Sequence, residues 1–349
     1  MTEKLIGKVQ TVTGLVEPGN LGLTTTHEHL LIDFSCMFNE PAEASERYRA
    51  HEPVTINNLG WVSYQSFANL DNLMLVNEED ATAEAEMYKR AGGGTIVDAT
   101  TIGIGRDPEA LARIARSSRL NIIMGAGYYV DSVHPEGMDQ SSEEEIANQI
   151  VEEIRSGVGN TRVKAGIIGE IGCSWPLAPN ERKVLRASAI AQAETGASIL
   201  IHPGRNPQAP LQILEILEEA GGDVSRTIMG HLDRTITSNV DLLDIAQSGC
   251  ALEYDLFGWE ISYYPLGDLD MPSDAQRLDF IELLLAEGYE DKIVVAQDIF
   301  AKHRTVKYGG HGYGHIIQNI VPRMRDRGFS DRQVRSIMIE NPAKLLAFV

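Results

Sequence analysis

Past residue 90 the sequence settles into one alternation, in which short runs of β-branched apolar residues are separated by longer segments of helical period. The runs are 94–99 (GTIVDA), 121–126 (NIIMGA), 163–170 (VKAGIIGE), 197–202 (ASILIH), 226–231 (RTIMGH), 250–254 (CALEY) and 292–298 (KIVVAQD). Residues 21–31 (LGLTTTHEHLL) ahead of them bring the strands to eight. Runs that are apolar throughout are buried on both faces, the condition of parallel strands covered by helices. Helices are expected at 77–91, 179–195, 209–220, 238–247, 274–286, 313–327 and 331–339. Asn180 is expected to cap the second of these, Gly196 to stop it, and Gly221-Gly222 to end the third. Eight strands with helical crossovers predict an α/β fold of the (β/α)8 TIM-barrel type. An open doubly wound sheet has the same strand count and is the alternative.

Two stretches break the alternation. Residues 8–12 and 15–16 around Gly14 predict a short hairpin closing the bottom of the barrel. Residues 36–76, with Pro41, Pro53 and Trp61, make a long segment after the first strand. Segments of that length in compact domains tend to carry function, here as a lid or as part of a site wall. No solenoid repeat, low-complexity tract or linker composition divides the chain, so one domain spanning 1–349 is expected.

Composition narrows the partners. With 30 Lys+Arg against 50 Asp+Glu the net charge is −20, which repels phosphate backbones and anionic headgroups; neither nucleic acid nor a membrane surface is an expected partner. No apolar run approaches the roughly 18 residues of a membrane span, and the opening MTEKLIGKVQTVTG lacks the apolar core of a secretion signal. Three scattered cysteines, Cys36, Cys173 and Cys250, form no CxxC pair and read as reduced thiols in a cytoplasmic protein. A homodimer is compatible with this composition.

The chemistry gathers at strand ends. In His27-Glu28-His29, residues i and i+2 of a strand share a face, so both imidazoles point one way and Glu28 the other. Glu170, His202, His231 and Asp298 each close a further strand. Six residues of metal-binding type thus fall at the C-terminal ends of five strands, the face on which barrel sites assemble. Arg205 and Arg234 each follow a strand-end histidine by three positions. In loops over that mouth, their planar forks of donors suit a carboxylate or sulfonate. Tyr128, Trp175, Trp259 and Tyr308 are candidate wall aromatics. His311 and His315 have helical metal-pair spacing, but HGYGH holds two glycines and no HExxH glutamate and reads as a loop. Cys173 is read as packing, and His51, His134 and His303 as surface or loop histidines. Residues 103–107 (GIGRD) and the glycines at 92–94 lack the context of a dinucleotide-binding turn.

The segments GLVEPGNLGLTTTHEHLL, GIIGEIGCSWPL, IHPGR, GHLDRT, LEYDLFG, GGHGYGHI and ENPAKLLAF resemble the phosphotriesterase-like family of the amidohydrolase superfamily, its animal branch most closely. The resemblance covers essentially the whole chain. It implies a (β/α)8 barrel with two divalent metal ions, usually zinc. Carried onto this sequence, it gives His27, His29 and Asp298 to the buried ion and His202 and His231 to the other, with Glu170 bridging. In true phosphotriesterases the bridge is a carboxylated lysine. Here the nearby lysine is Lys164, six positions upstream and so roughly 20 Å deeper along an extended strand, which leaves Glu170 for that role. Gln297 and Phe300 stand where animal members carry histidines. Paired ions bring the pKa of a water between them toward about 7, and Asp298 is placed to take its proton and pass it to the leaving group. The resemblance implies hydrolysis of a small N-acyl amine with an anionic tail, N-acetyltaurine being the candidate. A lactonase or phosphotriesterase using the same centre, or a non-catalytic metal-binding protein, is the alternative.

Overall fold

The computed structural model describes residues 5–349 other than 268, so the first four residues of the segment read for a secretion signal lie outside it. In chain order the strands are β1 (Val9–Thr11), β2 (Gly14–Val16), β3 (Leu23–Glu28), β4 (Ile32–Asp33), β5 (Met74–Leu75), β6 (Gly93–Asp98), β7 (Asn121–Ala126), β8 (Ile167–Gly172), β9 (Ile199–His202), β10 (Thr227–Met229), β11 (Ala251–Tyr254) and β12 (Ile293–Val295). β3 and β6 to β12 form one eight-stranded parallel sheet, each strand beside its successor. The sheet curls until β12 meets β3, as the barrel expectation requires. At this seam Asp298 N–H donates to the His27 carbonyl at 3.1 Å and the Thr26 hydroxyl to the Val295 carbonyl at 3.3 Å. Glu28, pointing away from its flanking histidines, fastens the same seam. Its carboxylate accepts from Gln297 N–H (2.9 Å), Ile299 N–H (3.0 Å) and the Thr25 hydroxyl (2.6 Å).

Inside the barrel, Val97, Ile123, Ile167, Leu200, Ile228 and Val294 form an apolar plug, one side chain per strand. Residues of opposite parity, such as Ile122, Ile168, Ile201 and Leu252, face the helices. The β1–β2 hairpin closes the N-terminal end as expected. Val9 joins the plug, Val12 N–H donates to the Ile122 carbonyl, and the Gln10 amide to the Ala165 carbonyl at 2.6 Å.

Helices Pro179–Thr195 and Asp274–Ala286 have the expected bounds, and Gly196, at φ 77°, ends the first. Asn180 is not the cap. Pro179 takes the first helical position, so Ala178 precedes the helix, and the buried Glu181 carboxylate accepts the Ala178 and Ser174 N–H groups. Two crossover helices lie outside the segments expected from sequence. Pro108–Ser118 is capped by Asp107, and Glu143–Arg155 carries a Ser142/Glu145 capping box. The stretches 313–327 and 331–339 are not plain α-helices. π-turns at Ile316–Ile320 and Ser336–Glu340 precede Val321–Asp326 and Asn341–Leu346, each with proline at its second residue. Proline removes an N–H and crowds the carbonyl four residues back, and the wider turn accommodates that.

The long segment after the first strand folds back through short helices (Ser35–Met37, Arg47–His51, Leu59–Tyr64, Asp71–Leu73), and β5 pairs antiparallel with β4. His303 is not a surface residue. It is buried against this segment, its N–H and Nδ1 each 3.0 Å from Asn72 Oδ1, and burial depresses its pKa to about 3. Among the described residues no helix is long and apolar enough to cross a membrane.

Candidate metal centre

The six strand-end residues converge at the C-terminal mouth of the barrel, all of them buried. Glu170 is at their centre. Its Oε1 lies 3.3 Å from His29 Nε2, and its Oε2 lies 3.3 Å from His27 Nε2, 2.9 Å from His202 Nδ1 and 3.6 Å from His231 Nε2. Asp298 Oδ1 is 3.2 Å from His29 Nε2. His202 Nδ1 and His231 Nε2 face each other at 2.8 Å. Donor atoms of His27, Glu170 and His231, and again of His27, His29 and Asp298, lie close enough together to hold a cation.

Supporting side chains orient these imidazoles. Asp255 sits between two of them, its carboxylate oxygens 3.0 Å from His27 Nδ1 and 2.9 Å from His231 Nδ1. The Thr100 hydroxyl donates to the Leu31 carbonyl, so its oxygen accepts from His29 Nδ1–H at 2.9 Å. With Nδ1 engaged in this way, Nε2 of all three rings is turned toward the cavity, where it can ligate a cation in place of a proton.

The electrostatics agree. Burial opposes the charge on Glu170, but His27 and His202 hold its carboxyl well below the usual range. Asp255 is likewise held low, against burial, by His231 and His27. His29, despite burial, is raised to about 9 by Asp298 and Glu170. Burial, with His231 and Arg234 nearby, keeps His202 neutral. Four nitrogen donors around two carboxylates suit zinc-like divalent ions. His27 Nε2 is buried with no hydrogen-bond partner, as suits a nitrogen that ligates a metal ion.

The backbone is bent to aim these groups. Among the described non-glycine residues three have left-handed φ, and two of them are His231 (53°) and Asp298 (48°). Gly230 allows the first bend, since a Cβ there would lie 2.7 Å from the Ile201 carbonyl and 3.0 Å from Asp255 Oδ2.

Across from the donors the cavity wall is aromatic. Phe300 packs 5.0 Å from Phe34, 5.6 Å from Phe67 and 5.4 Å from Trp259, centroid to centroid. Phe67 comes from the long segment, which therefore forms part of the wall. Both arginines read from sequence reach the cavity. The Arg205 Nε–H donates to the Tyr264 phenol at 2.7 Å. Arg234 Nη2 donates to the Pro203 carbonyl and lies 3.1 Å from His202 Nε2.

Other candidates fall elsewhere. Tyr128 packs between barrel and helices, 6.0 Å from the His134 ring, and its neighbour Tyr129 lines the cavity instead. The alternation running from inward Ile123 puts odd-numbered residues inside, which was the available signal. Trp259 lines the cavity; Trp175 packs against the outer core, and Tyr308 lies in a separate cleft beside Met74. His311 stacks on His315, which bonds Asp274 at 2.7 Å, and neither joins the donor cluster. Cys173 is buried in the core. Lys164 lies at the opposite end, its ammonium donating to the Arg155 carbonyl. Asp255, Thr100, Tyr129, Phe34, Phe67 and Tyr264 were not singled out from sequence. Asp255 carried a signal, as an acid one residue beyond the strand CALEY with inward parity.

The phosphotriesterase family model matches residues 7–346. The chain is 49% identical over 346 residues to the N-acetyltaurine hydrolases of Salmo salar and Homo sapiens, with 99% of both chains covered in each comparison. A resiniferatoxin-binding protein from Rhodobacter sphaeroides has the same fold at TM-score 0.94 and 35% identity, over 97% of this chain and 95% of that one. With the match running from the hairpin to the last helix, the chain belongs to the phosphotriesterase family.

Proposed function

We propose that the protein is a metal-dependent amidohydrolase that cleaves N-acetyltaurine to acetate and taurine. The observation that carries this reading is a cavity with a clustered donor set on one side and two guanidinium groups on the other. Among the described residues neither Arg205 nor Arg234 has a carboxylate partner, so both guanidinium charges are available to an anionic tail. The relatives named for that activity, 49% identical over nearly the whole chain, point to the same substrate.

In this reading His27, His29, Glu170, His202, His231 and Asp298 would hold two divalent ions, His27, His29 and Asp298 serving one, His202 and His231 the other and Glu170 both, and zinc suits the set. Ions bound there supply Lewis-acid polarisation of the scissile carbonyl and a water acidified toward neutral pH. Asp298, kept anionic against burial by His29 and His27, accepts the proton of the attacking water and returns it to the departing amine. Arg205 grips the sulfonate, with Tyr264 fixing its Nε and leaving the outer nitrogens to the ligand. Arg234, tied to the Pro203 carbonyl beside His202, braces that strand end. Phe34, Phe67, Phe300 and Trp259 exclude water and limit the acyl group to a short one. The unpaired thiols Cys36, Cys173 and Cys250 fit a reducing, cytoplasmic setting.

Purified, metal-loaded protein assayed against N-acetyltaurine, a lactone panel and aryl phosphotriesters tests this. Taurine release should outrun the other reactions, and elemental analysis should find two divalent ions per chain. Preferred turnover of a lactone or phosphotriester would overturn the substrate, and a chain without metal would overturn the centre.

A further inference from the structure

At the N-terminal end of the barrel, opposite the donor cluster, a cavity of about 550 Å³ opens between the β1–β2 hairpin and the loop leading into β8. Arg116, Arg155, Arg162 and Lys164 line it, and among the described residues no carboxylate does. In a chain of net charge −20 this is a local inversion of sign. Arg155 is held by Glu194, at 2.5 Å, although its buried Nε has no partner. Arg116 and Arg162 are exposed and have no ion-pair partner among the described residues. Arg116 and Arg155 lie in the last turns of helices Pro108–Ser118 and Glu143–Arg155, where a cation complements the helix dipole. Lys164, on the loop, donates to the Arg155 carbonyl at that helix end, but neither role accounts for Arg162 or for the concavity. Val12, Leu15 and Val163 supply apolar surface beside the charges.

We infer that this cavity binds a small, multiply charged organic anion with an apolar or aromatic body, of the size of a nucleoside bisphosphate. The volume falls within the range of about 300–1,000 Å³ typical of small-molecule sites. Guanidinium forks match phosphate oxygens, and the apolar lining holds the body. A long polyanion is excluded, because it would extend over a surface that repels it. A small one meets only the local field, since charges beyond a screening length of about 8 Å count little at physiological salt.

Isothermal titration of the metal-loaded, full-length protein with adenosine 3′,5′-bisphosphate, inorganic phosphate and adenosine tests the assignment. The bisphosphate should bind more tightly than phosphate, adenosine should not bind detectably, and added salt should weaken the complex. Arg116→Gln/Arg162→Gln should weaken bisphosphate binding by about tenfold or more while leaving metal content and hydrolytic activity unchanged. Asp298→Asn, at the other end of the barrel, should bind the bisphosphate as the wild type does. Absence of binding at millimolar ligand, equal affinity in the double variant, or loss of binding in Asp298→Asn would overturn the site. Equal affinity for phosphate and bisphosphate would overturn the organic body.

Discussion

The two ends of the barrel are built from the same strands and obey opposite rules. Low in the interior, Val97, Ile123, Ile167, Leu200, Ile228 and Val294 pack together in one buried apolar cluster. A few residues higher, inward positions carry His27, His29, Glu170, His202, His231, Glu253 and Asp255, all buried. β10 passes from plug to site in three residues, Ile228 to His231. Inside the barrel the upper end leaves groups unsatisfied: His27 Nε2 and both Glu253 oxygens have no hydrogen-bond partner. Each such group costs about 1–3 kcal/mol or more, so the lower half offsets an upper half that does not stabilise the fold by itself. Stability and chemistry are therefore separable along a single strand.

The sharpest way to break that separation is at Glu170. Glu170→Gln should empty the centre and lower kcat/KM by more than the roughly 10–100-fold expected for losing a supporting partner. Lys164→Ala should keep its metal, and the reverse result would move the bridging role to the lysine. At the lower end, Leu200→Ala should cost about 2–5 kcal/mol in urea unfolding while leaving kcat/KM of the folded protein unchanged. A comparable loss of activity would show that plug and site are coupled.

Within the upper end, Arg205→Met should raise KM for N-acetyltaurine about ten- to hundredfold, the value of one charge-assisted hydrogen bond. A group that binds ground state and transition state alike leaves kcat nearly constant. Equal losses on a neutral N-acetyl amine of the same length would make Arg205 a structural residue. The smallest effect concerns acid. Burial holds His303 at about 3, against the ordinary 6.5. Below pH 6.5 the unfolded chain takes up a proton that the native ring refuses. The contribution of the neutral ring is complete above 6.5 and drains as pH falls toward 3. At pH 5 the loss is about 2 kcal/mol. His303→Gln should remove that share of the acid sensitivity between pH 7.5 and 5, measured by denaturant unfolding.

The donor positions were legible because a buried parallel strand is apolar until near its end, so a polar residue there stands out at His202, and at Glu170, His231 and Asp298, each within three residues of a strand end. What surrounds them was less so. Asp255 bonds His27 across 228 positions of sequence, a meeting that only barrel closure produces. Phe67 reaches the cavity because its segment folds back along β4, which no local pattern encodes. Tyr129 and not Tyr128 faces the cavity because it shares the parity of inward Ile123. Pro322 and Pro342 were visible, yet the chain answers them with π-turns rather than breaks.

Glu28 was read only as the residue facing away from two histidines, and its position at the seam makes it a clasp. The N–H groups it holds, from Gln297 and Ile299, flank Asp298 on both sides. Asp298 is thus the tongue of the buckle that keeps the ring shut. Opening of the seam would withdraw Asp298 from His29 while leaving the other seven inter-strand joints in place. On warming, activity should fade ahead of global melting, and amide exchange at Gln297 and Ile299 should quicken in step with that loss.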